Sequence, residues 1–259
     1  MQAKQKSNIQ EFIQLSDLKI TEDNIVIITT IYEAEKLFTE ILSKESMIGL
    51  DSEWDHSLAN LGTSIFQIGT RQKSYIIDFI SIYKNEGMAK YSKLAGLINN
   101  LFLDRNIIKV AFSFGEDLKN LCYSFNINFE IESLCDLYFE IKTRERNNNF
   151  GLKILCYDCF GKDLNKSCQR SKWSSRPLKK PQIIYAAIDA YILLPLYDYF
   201  TQKPLHLKFY SSQPKPIKNK EKDQKLNPNK LNKRVVSTLK ENFDGIQYQK
   251  NHNRYLNYI

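Results

Sequence analysis

Met47-Ile48-Gly49-Leu50-Asp51-Ser52-Glu53-Trp54 reads as a β-strand, and its alternation sets what the sheet carries. Strand side chains change face at every residue, so Asp51 and Glu53 share one side while Ile48, Leu50 and Trp54 occupy the other. The apolar side anchors the strand. Two carboxylates held this close raise the pKa of one of them unless cations neutralise them, so the pair calls for metal. A surface strand with two solvated acids is the alternative. The same alternation assigns Trp54 to the core.

Outward from this strand, the pattern is mixed. Asn24 to Thr29 reads as a strand and Ile31 to Leu42 as a helix; Thr63 to Gly69 and Ser74 to Phe79 read as hairpin arms around Thr70 to Lys73. Met88 to Leu103 is helical in spacing, Ile107 to Phe112 extended, and Glu116 to Phe125 helical again. Asp136 suits the cap of a helix to about Lys142, Asn149 the cap of one ending at Gly161, and the last long helix runs from about Lys180 to Phe200. Strands first, with helices interleaved and then dominant, imply an α/β fold with a mixed central sheet flanked by helices.

Two further acids stand out. In Val110-Ala111-Phe112-Ser113-Phe114-Gly115-Glu116-Asp117, a buried-looking strand runs straight into a helix. Ser113 and Glu116 have capping-box spacing, which places Asp117 in the first turn, beyond the strand's C-terminal end where open sheets bind ligands. A plain helix-start acid is the simpler reading of Asp117 taken singly. In Tyr185-Ala186-Ala187-Ile188-Asp189, the two polar residues lie four apart on one face of an otherwise apolar helix. An acid there is costly without a partner, and metal ligation removes the cost; a salt bridge is the alternative.

Composition bounds the class. The chain has 259 residues, 42% hydrophobic and 25% charged, as for an ordinary globular domain. Met1 to Gln10 is polar and no apolar run suggests a membrane span, so an intracellular protein is expected, in nucleus or cytoplasm. Five cysteines fit free thiols in a reducing compartment, and Cys156-x-x-Cys159, without a second pair or nearby histidine, reads as core packing rather than a zinc site. The net charge of +8 is uneven: residues 203–259 hold 13 Lys+Arg against 4 Asp+Glu, leaving the rest near neutral. The chain divides into a leader over 1–20, a main folded domain over 21–202, a lysine-rich disordered linker over 203–234, and a terminal stretch over 235–259 suited to a short helix or a partner-binding peptide.

Taken together, Asp51-x-Glu53, Asp117 and Tyr185-x-x-x-Asp189 resemble the three motifs of the DEDDy 3′-to-5′ exonucleases. The surrounding text agrees: GLKILCYDCFGKDLNKS from Gly151, SKWSSRPL from Ser171 and YAAIDAYILLPLYD from Tyr185 are similar to ribonuclease D, the Werner-syndrome exonuclease domain and the mutator-type exonucleases of RNA silencing. The resemblance covers roughly residues 20 to 202 and implies a ribonuclease H-like fold. It also implies two Mg²⁺ or Mn²⁺ ions held by Asp51, Glu53, Asp117 and Asp189, with Tyr185 orienting the attacking water. Asp51 would bridge the ions, Glu53 and Asp189 would complete the first site, and Asp117 would hold the second partly through water. The implied product is a nucleoside 5′-monophosphate cut from a single-stranded or 3′-overhang nucleic acid, RNA favoured, as in small-RNA or other RNA processing. A Werner-like DNA exonuclease and a non-catalytic nucleic-acid-binding scaffold are the competing functions.

Departures from the family pattern carry their own expectations. Relatives commonly cap the final helix with Thr or Ser, whereas Lys179, Lys180 and Pro181 stand here; Pro195 should kink that helix beyond Asp189. Arg176 reads equally as a contact to substrate phosphate or as a structural ion-pair partner. Ser113, beside Asp117, is a further candidate substrate contact, and Trp54 has a second reading in which it supports the terminal base.

The basic tail generates one prediction. A flexible cationic segment releases counterions on binding nucleic acid, so removing residues from 203 onward should weaken RNA binding at low salt and flatten its salt dependence. Titration of both proteins against labelled RNA at several ionic strengths checks this. Unchanged affinity and slope would leave a protein partner as the only role for the terminal aromatics Phe243, Tyr248, Tyr255 and Tyr258.

Overall fold

The structure is a computed structural model that describes residues 11–55, 62–142, 151–202 and 210–212. Its strands are β1 (Ile25–Ile28), β2 (Met47–Glu53), β3 (Ile65–Gly69), β4 (Ser74–Asp78), β5 (Ile108–Ala111), β6 (Ile131–Asp136) and β7 (Tyr210–Ser212), in sheet order β1-β4-β3-β2-β5-β6-β7. The hairpin expected around Thr70 to Lys73 is present, closed by the Thr70 N–H donating to the Lys73 carbonyl at 2.8 Å. Strands β2, β3 and β4 form an antiparallel meander, while β5 and β6 continue from β2 in parallel.

The helices are α1 (Ile31–Lys36, extended by irregular turns to Lys44), α2 (Phe79–Leu103), α3 (Gly115–Phe125), α4 (Leu137–Lys142), α5 (Leu152–Phe160), α6 (Lys180–Tyr191) and α7 (Leu193–Gln202). The apolar positions of α1, α2 and α3 pack with Ile48, Leu50, Phe66 and Ile68 on one face of the sheet. On the other face, α5, α6 and α7 pack against Val110 and Cys135. Cys156 is buried in that second core and Cys159 is half-buried, both free thiols, as core packing requires.

Several boundaries move. Helix α2 begins at Phe79, nine residues before the expected Met88, and turns at Gly87, whose φ of 77° and ψ of 178° interrupt the helix. Strand β6 escapes a reading by periodicity because Ile131-Glu132-Ser133-Leu134 lacks strict alternation, and Ser133 takes a positive φ of 51°. Gly161 does end α5 in the left-handed region at φ 68°, while Asn149 lies outside the described residues. The kink assigned to Pro195 separates α6 from α7 around Ile192. Lys180–Gln202 is long and apolar enough to cross a membrane by length and composition, but 67% of that window is buried, as befits the central core helix pair.

Tyr210–Ser212 fall in the segment expected to be disordered, yet they pair antiparallel with β6 because that edge offers unpaired backbone groups. A truncation aimed at the basic tail alone should therefore spare residues to 212. The remainder of the tail and residues 1–10 of the leader lie outside the described residues.

The feature that places α6 is a pair of cross-strand glycines. Gly49 on β2 faces Gly69 on β3, and a Cβ on Gly49 would lie 2.1 Å from the Ala190 carbonyl oxygen; one on Gly69 would lie 2.6 Å from it. Helix α6 thus touches the sheet through backbone. Gly49→Ala should lower stability by about 1–3 kcal/mol through overpacking. Gly96→Ala, in a helix with open space around that position, should stabilise by about 0.4–1 kcal/mol. Denaturant unfolding of the two variants checks the contrast.

Candidate active site

Asp51 and Glu53 project from the C-terminal half of β2 toward α6, and Asp189 descends from α6 beside the glycine pair. The three side chains offer oxygens that all lie within 4.8 Å of one another. Glu53 is 5% exposed and Asp189 5% exposed, so little water screens them. Burial raises the Asp51 carboxyl well above its ordinary range, and the charges of Asp117 and Asp189 raise it further. Glu53 is raised in the same way, by burial first and by Asp51 next. Burial pushes Asp189 up to about 7 against the pull of Tyr185 and of the Lys166 ammonium.

Asp117 joins from another direction. It sits in the first turn of α3, as expected, but the Ser113–Glu116 capping box is absent: Phe114 is the cap residue and makes no side-chain cap bond. Ser113 instead takes a left-handed turn at φ 60°, because its N–H and that of Phe114 donate to the Asp136 carboxylate at 2.8 and 2.9 Å. Glu116 turns outward to Lys119. Asp117 Oδ1 accepts from the Ser52 N–H at 3.0 Å and the Ser52 hydroxyl at 2.8 Å, which ties it to the middle of β2. Burial still pushes it up to about 7, and it stands just outside the tightest trio of acids.

Tyr185 lies one turn before Asp189, 7% exposed, with its ring against Trp173 at a centroid distance of 6.0 Å. Burial and the neighbouring Asp189 charge raise its hydroxyl far above the usual phenol range, so it stays protonated and able to donate. Trp173 is fully buried. The segment it belongs to is pinned twice more: Ser174 donates to Asp55 through both its N–H, at 3.2 Å, and its hydroxyl. Arg176 forms a bidentate pair with Asp78, Nε to Oδ2 at 2.5 Å and Nη2 to Oδ1 at 2.6 Å.

Arg176 is therefore structural. Its remaining N–H groups donate to the carbonyls of Trp173, Ser175 and Ser64, so all five donors of the guanidinium are engaged and none is left for a phosphate. Trp54 also departs from expectation: it lies just past the last paired residue of β2, so alternation no longer governs it, and it is half-buried rather than core. Lys179 cannot cap α6 through its side chain, and Gln182 does so in its place by accepting from the Lys179 N–H at 3.0 Å.

A family model described as 3′-5′ exonuclease matches residues 25–204 of this chain. The chain belongs to that 3′-5′ exonuclease family. The exonuclease mut-7 homolog of Drosophila melanogaster is 30% identical over 202 residues, a match that covers 70% of this chain and 31% of that relative's length. Among solved structures, the Aedes aegypti Nibbler EXO domain superposes with a TM-score of 0.60 at 24% identity, covering 84% of this chain and 98% of that one. Escherichia coli RNase D gives 0.57 at 23% identity, covering 69% and 44%. These two likenesses establish the ribonuclease H-like exonuclease fold.

The exonuclease site fits a divalent cation on its own evidence. Asp189 Oδ1 is buried and lacks a hydrogen-bond partner, a costly state for a carboxylate. An all-oxygen donor set of this kind suits hard cations such as magnesium and manganese. Sequence reasoning missed Ser52, Lys166 and the glycine pair. The first and last had a signal, since small residues flanking an acid on a strand admit close neighbours.

The raised carboxyls predict a pH effect. A folded-state pKa of about 7 against 3.8 for Asp189 means the folded protein holds the proton between those values, so stability falls as pH rises through that window. In chelator, Asp189→Asn should therefore raise Tm by several degrees at pH 8 and by much less at pH 5. Equal shifts at both pH values would contradict the repulsion.

Proposed function

We propose that this 3′-5′ exonuclease is metal-dependent and acts on RNA, with Asp51, Glu53, Asp117 and Asp189 holding two Mg²⁺ or Mn²⁺ ions. The observation that carries the metal reading is the acid trio of half-buried Asp51 and buried Glu53 and Asp189, with an Asp189 oxygen unpartnered among the described residues. When bound, such ions supply charge neutralisation and polarisation of the scissile phosphodiester. Asp51, with charged neighbours in both Asp117 and Asp189, is placed to serve both ions. Asp117, one oxygen of which Ser52 holds, would contribute to the second.

Tyr185 is assigned to the attacking water. Its hydroxyl remains protonated and Trp173 fixes its ring, so it donates and positions rather than acting as a base. Trp54 and Ser113, just past the ends of β2 and β5, line the approach of the terminal nucleotide in this reading. The choice of RNA rests on relatives: E. coli RNase D is described as an exoribonuclease involved in structured RNA processing. A curated relative in yeast, 25% identical over 187 residues, is an exosome complex exonuclease.

Digestion of matched 5′-labelled RNA and DNA with magnesium, manganese or chelator tests the proposal. A one-nucleotide ladder on RNA that chelator abolishes is expected; an equal or stronger ladder on DNA would overturn the substrate assignment. Asp51→Ala should remove cleavage without loss of fold. Tyr185→Phe should retain metal binding but slow single-turnover chemistry by ~10²–10⁴-fold, the usual range for a positioning or general-acid group.

A further inference from the structure

Strands β2, β5 and β6 are parallel, so the residues just beyond Glu53, Ala111 and Asp136 gather at one edge of the sheet. The acids occupy the β2 end of that edge. Beyond the ends of β5 and β6 the edge is aromatic. Phe112 and Tyr138 meet edge to face with centroids 5.7 Å apart and planes at 80°, and Tyr138 meets Phe139 in the same way at 5.4 Å and 79°. Phe139 is 51% exposed, whereas Leu137 and Ile141 of the same helix are buried and already supply its packing. The exposed ring therefore contributes little to the core.

One carboxylate joins this row to the acid site. Asp136 accepts from the N–H groups of Ser113 and Phe114, which lead into α3 and Asp117, and from the Tyr138 N–H at 3.0 Å. The opposite flank of the acids is closed among the described residues. Trp173 is fully buried there, Ser174 is bound to Asp55, and Arg176 has every donor engaged. With that flank closed among the described residues, a strand with its 3′ end at the acids is taken to leave across β5 and β6, over the aromatic row.

We propose that Phe139, backed by Tyr138 and Phe112, is a stacking platform for a base on the 5′ side of the scissile bond. The assignment rests on the exonuclease reading and extends it to the upstream strand. Every base offers a π-face, so the platform favours unpaired strands over duplex and is tolerant of sequence. Stacking on Phe139 needs only that a base be splayed from its neighbours, which single strands allow.

Single-turnover digestion by the full chain, with magnesium, tests it on two strands: an ordinary single-stranded RNA and the same RNA with abasic residues upstream of the terminal nucleotide. Phe139→Ala should raise the half-saturating RNA concentration roughly 5- to 100-fold on the ordinary strand, the range expected for one lost aromatic–base stack. Phe139→Trp should restore it. On the abasic strand, wild type and Phe139→Ala should coincide, since no base is there to stack. The proposal fails if the substitution changes nothing on the ordinary strand, or if it raises the requirement equally on both. A wild-type protein that cleaves neither strand would instead overturn the exonuclease reading, before any variant is compared.

Discussion

The height at which α6 sits on the sheet is set by one backbone contact, the Ala190 carbonyl against Gly49 and Gly69. No residue with a Cβ fits at either position without moving the helix. Asp189 immediately precedes Ala190, so this contact brings its carboxylate down among Asp51 and Glu53. Tyr185 lies one turn earlier on the same helix, and Trp173 packs behind it. The acid cluster is repulsive on its own. It is held because the apolar cores on both faces of the sheet fix β2 and α6 independently of the acids.

Carboxylates near this edge divide by what their oxygens meet. Asp78 caps α2 through Ser81 and also receives Arg176; Asp55 receives Ser174; Asp136 receives the N–H groups of Ser113, Phe114, Tyr138 and Phe139. Each closes a loop at a strand end. Asp51, Glu53 and Asp189 have neighbours of like charge instead, and Asp189 retains an oxygen with no donor. The contrast separates acids that build the edge from acids held mainly against one another. Asp117 stands between the two groups, because Ser52 occupies one of its oxygens while its pKa remains raised.

How much of this the sequence revealed depends on the range of the forces involved. Local periodicity exposed β2, the hairpin of β3 and β4, α3 and the kinked final helix, and the spacing of Tyr185 and Asp189 set them on one helical face. Motif resemblance then gathered Asp51, Glu53, Asp117 and Asp189 into one site, and the fold brings them to one edge. The failures were non-local or exceptional in geometry. The Ser113–Glu116 pair had the right spacing for a cap, but Asp136, from the next strand over, took the backbone groups it would have served. Arg176 was undecided because its partner Asp78 lies 98 residues away in sequence. Trp54 was assigned by an alternation that stops where the strand stops.

Charge distribution explains how a strand can approach such a site at all. Four acids at the mouth repel a phosphodiester, and the folded part of the chain is near neutral, so it exerts no general attraction. Arg176 cannot help, because its donors face inward. Lys166 is the cation whose field reaches both Asp51 and Asp189, and it sits exposed on the connection between α5 and α6 with Leu164 buried beneath. The Asn165 side chain shapes that turn by accepting from the Ser167 N–H at 2.9 Å. A single lysine cannot compensate four acids. In the proposed function, attraction at short range would come from cations held among the acids, and at long range from the net +9 of residues 203–259. These two sources respond differently to salt: the tail is screened over a Debye length of roughly 8 Å at physiological ionic strength, whereas buried ions are not. Under that proposal substrate capture and catalysis would be separable, the first governed by residues 203–259 and the second by the acids that α6 and β2 hold together.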